Sequence, residues 1–228
     1  MKKYIYLGLT FCLVLLNGCA NLQPQPKDQS AFAQAKPSSI LILPPTNDST
    51  EVLAPYTLLS TLTRPVAEAG YYVFPVAMVD EYMKENGVYE PYEMHQIPLE
   101  KLHKAFQPDA VLYTHIESFG QKYVVFSSNT EVKAKAKLVS TDSGQTIWEG
   151  SAYAVESSGD GGGGIAGVLA AALVEQVLDS LDDRIIDVAK SASWQMIHNR
   201  NNGFIPGPYR RQHEADQAAE KTSASPDK

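Results

Sequence analysis

Residues 130–149 constrain the fold most strongly, because they combine two alternating stretches with one turn signal. In the first stretch, apolar side chains alternate with lysines, with Val132, Ala134, Ala136 and Leu138 on one side and Lys133, Lys135 and Lys137 on the other. Asp142-Ser143-Gly144 fits a three-residue hairpin loop, which would pair Leu138 with Trp148. We therefore predict an antiparallel hairpin. Its lysines fit a solvated sheet face, with an anion-binding stripe as the alternative.

The first half of the chain has the pattern of a parallel α/β unit. Residues 39–43 (SILIL) form a continuous apolar run that ends at a proline pair, as is typical of a strand buried on both faces. Similar runs over 71–76 and 110–119 alternate with three helical patterns. We therefore predict an α/β domain with a mixed sheet, parallel in its first half and antiparallel in the C-terminal hairpin. Helices pack on this sheet, and one long helix lies at the C-terminal end.

The N-terminus has the pattern of a secretory signal with a lipid-attachment site. Two lysines precede an apolar stretch over residues 4–16, which is shorter than the roughly 20 apolar residues of a membrane span. The sequence Leu-Asn-Gly-Cys at 16–19 resembles the bacterial lipobox, which implies cleavage before Cys19 and its acylation with chains such as palmitate. Cys12 would leave with the signal, so lipidation explains the one cysteine that is kept. By resemblance to enterobacterial lipoprotein sorting, Ala20 after the cysteine favours the outer membrane, with the chain on its periplasmic face or exposed at the surface.

Composition divides the chain into four parts. We expect residues 1–18 to be a cleaved signal peptide, 19–38 a lipidated flexible tether, 39–200 a single α/β domain and 201–228 a disordered tail. Without the signal peptide the chain keeps 17 basic and 26 acidic residues, a net charge of about −9. This acidity argues against nucleic-acid binding and leaves membrane attachment to the acyl chains.

A glycine-rich segment, SGDGGGG at 158–164, matches a dinucleotide-binding loop only locally. It lacks the Lys-Ser/Thr pair of a P-loop, and no second strand pattern follows its helix, so we expect neither a nucleotide nor another cofactor. A flexible connection to the last helix explains the glycines. The alternative is a close helix–helix contact, because small residues recur every four positions. That hypothesis places a self-association surface on Gly163, Gly167, Leu169 and Ala171.

The side chains that could perform chemistry form no recognisable constellation. The five histidines lie at 95, 103, 115, 198 and 213, without the spacing of metal ligands. We therefore expect no metal site and no enzyme. The aromatic loop over residues 82–95 is a candidate contact for a protein partner through Tyr89, Tyr92 and Met94, with local packing as the alternative.

Several segments together resemble a family of Gram-negative outer-membrane lipoproteins of unassigned role, recognised mainly as surface-antigen candidates. These segments are the lipobox at Cys19, ILILPP at 40–45, RPVAEAGYYVFPV at 64–76, PDAVLYTHI at 108–116 and the glycine-rich start of the last helix. The resemblance implies a fold like the N-terminal domain of the Tol propeller protein and the curli-secretion pore lipoprotein. It also implies a homo-oligomer that accompanies a curli-pore-like outer-membrane lipoprotein.

These observations together predict a non-enzymatic structural or adaptor subunit of an envelope export or assembly system. The alternative is a lipoprotein regulator that binds and activates a cell-wall synthesis enzyme.

Overall fold

A six-stranded sheet organises the chain in the computed structural model, which describes residues 27–124, 127–157 and 174–223. The strands are β1 (Ser39–Ile42), β2 (Thr46–Asn47), β3 (Tyr72–Val73), β4 (Ala110–Val124), β5 (Ser127–Ser140) and β6 (Thr146–Ser157). The helices are α1 (Ser30–Ala35), α2 (Ala54–Glu68), α3 (Val76–Glu85), α4 (Pro91–Met94), α5 (Leu99–Phe106), α6 (Val174–His198) and α7 (Pro208–Ser223). Within these ranges, no helix combines the length and the apolar character that crossing a membrane requires.

The strand order is β3-β1-β4-β5-β6, and β2 pairs with β4 beyond the end of β1. The pairs β1–β3, β1–β4 and β2–β4 are parallel, whereas β4, β5 and β6 form an antiparallel meander. Parallel strands need crossover connections. Helix α2 provides the connection from β1 to β3, and α3 to α5 provide the connection from β3 to β4 on the other side of β1. The mixed α/β sheet predicted from the sequence is confirmed.

The predicted hairpin is present as β5 and β6. Leu138 pairs with Trp148, and Gly144 in the turn has a φ of 69°, the left-handed conformation that the loop requires. The Trp148 indole lies over Gly150, where an added Cβ would overlap the ring. Next to the turn Val139 pairs with Thr146, so a one-residue register shift lies between this pair and the Leu138–Trp148 pair, and Trp148 is buried in the core.

One face of the sheet is covered by α2 and α6. Alternate strand residues are buried there, among them Ile40, Leu112, Ala134 and Leu138. The two covering helices also share a buried hydrogen bond of 2.8 Å between the hydroxyls of Thr61 and Ser193. This face therefore holds the main hydrophobic core, and the hydroxyls of Thr61 and Ser193 within it are satisfied.

Among the described residues, helices cover the opposite face over β1 and the start of β4. Helices α3, α4 and α5 pack there against Leu41, Leu43 and Val111. Beyond these helices the face is open on β5 and β6, where the three alternating lysines and Tyr153 are exposed. The lysine-bearing face that the sequence predicts is thus the uncovered part of the sheet.

Both ends of the described chain pack further into the domain than the sequence predicts. Phe32, in α1 and within the predicted tether, is fully buried, with its ring 6.0 Å from Tyr71 and 5.2 Å from Phe204. Phe204 lies beyond the predicted domain end and meets Trp148 edge-on at 4.7 Å. Helix α7 then occupies residues for which the sequence predicts disorder. The packed part of the chain therefore begins before residue 39 and continues past residue 200.

Candidate functional site

A cleft of about 420 Å³ opens on the uncovered part of the sheet face. Its floor is formed by β4, β5 and β6, and the segment before β1 and the chain after α4 contribute to its lining. The charged and ring-bearing side chains that line it are Lys27, His95, Tyr113, His115, Lys135, Lys137 and Glu149. Strand pairing sets them in rows across the sheet, because side chains that are directly opposite share a face.

The rows follow directly from the register. Lys137 stands between Tyr113 on β4 and Glu149 on β6, and Lys135 stands opposite His115. The Lys137 ammonium lies 5.4 Å from the centre of the Tyr113 ring, within reach of a cation–π interaction. In the described part of the chain, no carboxylate lies within salt-bridge distance of this ammonium.

A β-bulge lies beside the cleft, next to Glu117. The register shifts between Ile116 and Ser118, so Ile116 stays in the core while Phe119 returns to it opposite Val132. The extra residue changes the alternation of β4, which would otherwise point Phe119 to the open face. The bulge therefore returns Phe119 to the core, while Glu117 shares the open face with Tyr113 and His115.

Glu117 holds two of the three lysines. Its Oε2 lies 2.9 Å from Nζ of Lys133, and its Oε1 contacts Nζ of Lys135. Hydrogen bonds from Lys135 and then Lys133 lower the pKa of Glu117 to about 2, and the same carboxylate raises the pKa of Lys133. Two of the lysines are thus paired with Glu117, whereas Lys137 keeps its charge free.

His95 forms one wall of the cleft and is held by the backbone. Its Nε2 lies 2.9 Å from the carbonyl oxygen of Pro44, and its ring stands edge-on to Tyr113 at 5.3 Å. Burial lowers the pKa of His95, with smaller contributions from Lys137 and His115. The neutral ring therefore donates its Nε2–H to Pro44. Burial also raises the pKa of Tyr113, so its hydroxyl stays protonated at neutral pH.

His115 lies in a chain of contacts that the sequence does not reveal. Its Nδ1 is 2.9 Å from the Thr46 hydroxyl, and its Nε2 is 3.2 Å from Oδ2 of Asp48. The order Thr-His-Asp is that of a catalytic triad, but Thr46 is only 6% exposed, so its hydroxyl cannot reach a substrate. The contacts tie β2 to β4, where Thr46 pairs with His115. Parallel pairing of distant segments creates this arrangement, and no local motif signals it.

The described residues also contain no group of three or more His, Cys, Asp or Glu side chains that could hold a metal ion. The chemistry that the cleft itself offers is electrostatic, since it presents lysine ammonium groups and a tyrosine hydroxyl.

The three residues predicted as partner contacts separate into two groups. Tyr89 and Tyr92 are 60% and 52% exposed, and the Tyr92 hydroxyl donates a 2.9 Å hydrogen bond to Asp48. The prediction that Met94 contacts a partner is wrong, because its side chain is 1% exposed and packs in the core cluster beneath α3 to α5. Met94 is therefore packed locally, whereas the rings of both tyrosines are accessible to a partner.

Exposed apolar and aromatic side chains concentrate in one part of the described sequence. Eight of the thirteen large exposed ones fall between residues 52 and 92, namely Val52, Leu53, Tyr56, Tyr72, Met78, Tyr82, Tyr89 and Tyr92. We refer to these eight residues, which fall within one stretch of the sequence, as the aromatic surface. Tyrosine and methionine are enriched at protein interfaces.

Two predicted sites lie outside the described residues. These are the lipidation site Cys19 and the predicted self-association surface of Gly163, Gly167, Leu169 and Ala171. Both stay predictions from the sequence.

Comparison with known proteins shows relatives over most of the chain. The model of the GNA1162-like lipoprotein family matches residues 27–209, a range that contains the cleft, Phe32 and Phe204. Lipoprotein NMB1124/NMB1162 of Neisseria meningitidis serogroup B is 39% identical over 207 residues, which cover 90% of this chain and 96% of the relative.

Solved structures give the same relationship. The crystal structure of lipoprotein GNA1162 from Neisseria meningitidis is 41% identical, with a TM-score of 0.52, and the alignment covers 63% of this chain and 99% of that one. A PelC dodecamer from Paraburkholderia phytofirmans aligns at 12% identity with a TM-score of 0.45, over 71% of this chain and 86% of that one. At that distance the likeness carries no conclusion about how this chain assembles.

Proposed function

The chain belongs to the GNA1162-like lipoprotein family, and from this premise we propose that it is a non-enzymatic adaptor lipoprotein of the outer membrane. In this proposal acylated Cys19 anchors the chain, residues between the anchor and α1 act as a tether, and the folded domain presents a surface to a protein partner. The partner belongs to an envelope export or assembly system, for which a curli-pore-like outer-membrane lipoprotein is the candidate that the family resemblance suggests.

The observation that carries the proposal is the aromatic surface. Tyrosine and methionine side chains supply large contact area at low conformational cost, and they are enriched where proteins meet. Tyr89 and Tyr92 lie in this surface, and Tyr92 is held in place by its hydrogen bond to Asp48. A partner that buries these rings would meet at least one preorganised side chain.

The contacts of the histidines support a role other than catalysis. His95 is held by Pro44 and His115 by Thr46 and Asp48, so both rings already have structural partners. Self-association is part of the proposal through the small-residue pattern over Gly163, Gly167 and Ala171.

Site-specific photocrosslinking in the native envelope tests this function. A photoreactive phenylalanine analogue at Tyr89 is expected to trap a defined envelope protein. The matched control places the same analogue at Tyr209, which is 56% exposed on α7 and lies outside the aromatic surface. Mass spectrometry of the adducts identifies the partner, and the Cys19→Ser variant shows whether capture depends on the anchor.

The outcomes separate the candidate functions. A component of an export or assembly system that is trapped at Tyr89 and not at Tyr209 supports the adaptor function. A cell-wall synthesis enzyme trapped there supports instead the alternative, a regulator of such an enzyme. Identical adduct patterns at both positions, or none, contradict the assignment of the aromatic surface.

A further inference from the structure

We propose that the cleft on the open sheet face is a binding site for a phosphate monoester, with Lys137 as its central anchor and Tyr113 and Lys135 beside it. The inference is independent of the adaptor role, since it concerns a different surface from the one that carries Tyr89. It rests on the free charge of Lys137, on the charge balance of the lining and on the fixed walls of the cleft.

Of the two cleft lysines on β5, Lys135 and Lys137, Lys137 is the one without an ion pair to a described carboxylate. Glu117 engages its neighbours on the same strand, Lys133 and Lys135, through both carboxylate oxygens. Glu149 faces Lys137 across the β5–β6 pair, but no ion pair forms between them. The Lys137 ammonium therefore has N–H donors available for a ligand oxygen. It lies over the ring of Tyr113, on the floor of the cleft.

The charge balance of the cleft favours a doubly charged anion. Three lysines line it (Lys27, Lys135 and Lys137) against one carboxylate, Glu149. On the adjoining open face Glu117 pairs with Lys133 and Lys135, and Glu131 also acts on Lys133, so the excess belongs to the cleft lining itself. Asp48 does not line the cleft, and its Oδ2 lies 3.2 Å from Nε2 of His115. A phosphate monoester carries about −1.5 to −2 charges at neutral pH, which matches this excess better than a single carboxylate does.

The walls of the cleft are fixed before any ligand arrives. The His95 ring is held by Pro44 and stands edge-on to Tyr113, while Lys137 lies over the same tyrosine ring. Among the described residues the Tyr113 hydroxyl has no hydrogen-bond partner, so it is available as a donor to a phosphate oxygen. A volume of about 420 Å³ accommodates a small phosphorylated molecule or a lipid headgroup.

Calorimetric titration of the full-length lipidated protein in maltoside micelles, which contain no phosphate, tests the proposal. The probe is phenyl phosphate, and benzoate is the singly charged comparison ligand. We expect saturable binding of phenyl phosphate that is weakened about tenfold or more by Lys137→Gln, since a charge-assisted hydrogen bond is lost. Lys137→Arg is expected to keep most of the affinity. The matched control Lys104→Gln removes an exposed lysine of α5 and is expected to leave binding unchanged.

A second arm distinguishes the sources of the phosphate. Micelles that contain phosphatidic acid are titrated with phenyl phosphate; competition identifies a lipid headgroup as the ligand, and its absence identifies a soluble phosphate ester. Three results would overturn the proposal: no saturable heat with phenyl phosphate, equal weakening by Lys137→Gln and Lys104→Gln, or benzoate binding as tightly as phenyl phosphate. Because Lys137 is exposed, its substitution leaves the fold intact, and circular dichroism verifies this.

Discussion

The two faces of the antiparallel meander share a backbone but differ in what holds them. On the covered face, Leu138 is fully buried beneath the helices, whereas its neighbour Lys137 on the open face is exposed. On the covered face, burial of apolar area stabilises the fold by roughly 25 cal/mol per Å². On the open face, each exposed ion pair stabilises it by only about 0–1 kcal/mol. Consecutive residues of β5 therefore serve different purposes, stability on one face and recognition on the other.

This difference has a practical consequence for mutagenesis. Substitutions on the open face change charge and ligand contacts while the core stays packed, so their effects report on function. Substitutions on the covered face change the free energy of unfolding first. The predictions below test how sharply the two faces are separated.

The largest loss is expected where a chain end enters the covered side. Phe32→Ala removes a fully buried ring that contacts Tyr71 and Phe204, and we expect it to lower the free energy of unfolding by about 3–5 kcal/mol. Urea unfolding followed by circular dichroism measures this change. Tyr209→Ala, which truncates an exposed ring of α7, is the control and should change stability by about 0.5 kcal/mol or less. A loss below about 1 kcal/mol for Phe32→Ala would show that α1 is not part of the core.

A matched pair of neighbours on β5 compares the faces directly. Leu138→Ala is expected to cost about 2–5 kcal/mol, because it leaves a cavity between the sheet and its helices. Lys137→Ala is expected to stay within about 0.5 kcal/mol of the parent protein. Equal losses in urea unfolding would mean that the open face is covered in solution.

Local alternation explains why the β5–β6 hairpin was predictable. The turn residues, the period of two and the pairing of Leu138 with Trp148 all lie within twenty consecutive residues, whereas the register shift between Leu138 and Val139 has no signal in the sequence. The parallel half was predictable as a class from its continuous apolar strands. The second of these runs, over 71–76, forms only the two-residue edge strand β3.

The remaining features depend on contacts between distant segments. Phe32 and Phe204 are single aromatic residues in polar surroundings, and only their meeting with Tyr71 shows that they belong to the core. The Thr46–His115–Asp48 contacts likewise require the β2–β4 pairing. The sequence places Met94 in an aromatic loop that could contact a partner, and the packing of α4 on the sheet buries it instead.

A smaller loss is expected for the polar pair within the covered side. Ser193→Ala removes the 2.8 Å hydrogen bond to Thr61, whose hydroxyl keeps a 2.9 Å bond to the carbonyl oxygen of Leu58. Because no buried hydroxyl is left unsatisfied, we expect a loss of only about 0.5–1.5 kcal/mol in urea unfolding. Ser191→Ala, an exposed serine on the same helix, is the control and should be neutral. A loss like that of Leu138→Ala would mean that the pair organises the helix interface.

The smallest effect, and one specific to the open face, is the acid response of Glu117. Its pKa is lowered to about 2 from an ordinary 4.5 by its hydrogen bonds from Lys135 and Lys133. A carboxylate whose pKa is lower in the folded state stabilises the protein above its unfolded pKa, and this contribution is lost as the pH falls from about 4.5 toward about 2. Urea midpoints measured across this range should therefore fall more steeply for the parent protein than for Glu117→Gln. Glu100→Gln, which removes an exposed carboxylate from α5, should follow the parent curve. Parallel curves for the parent and Glu117→Gln would show that solvent screens the contacts of Glu117 with the lysines completely. The charges of the open face would then act in ligand binding without stabilising the fold.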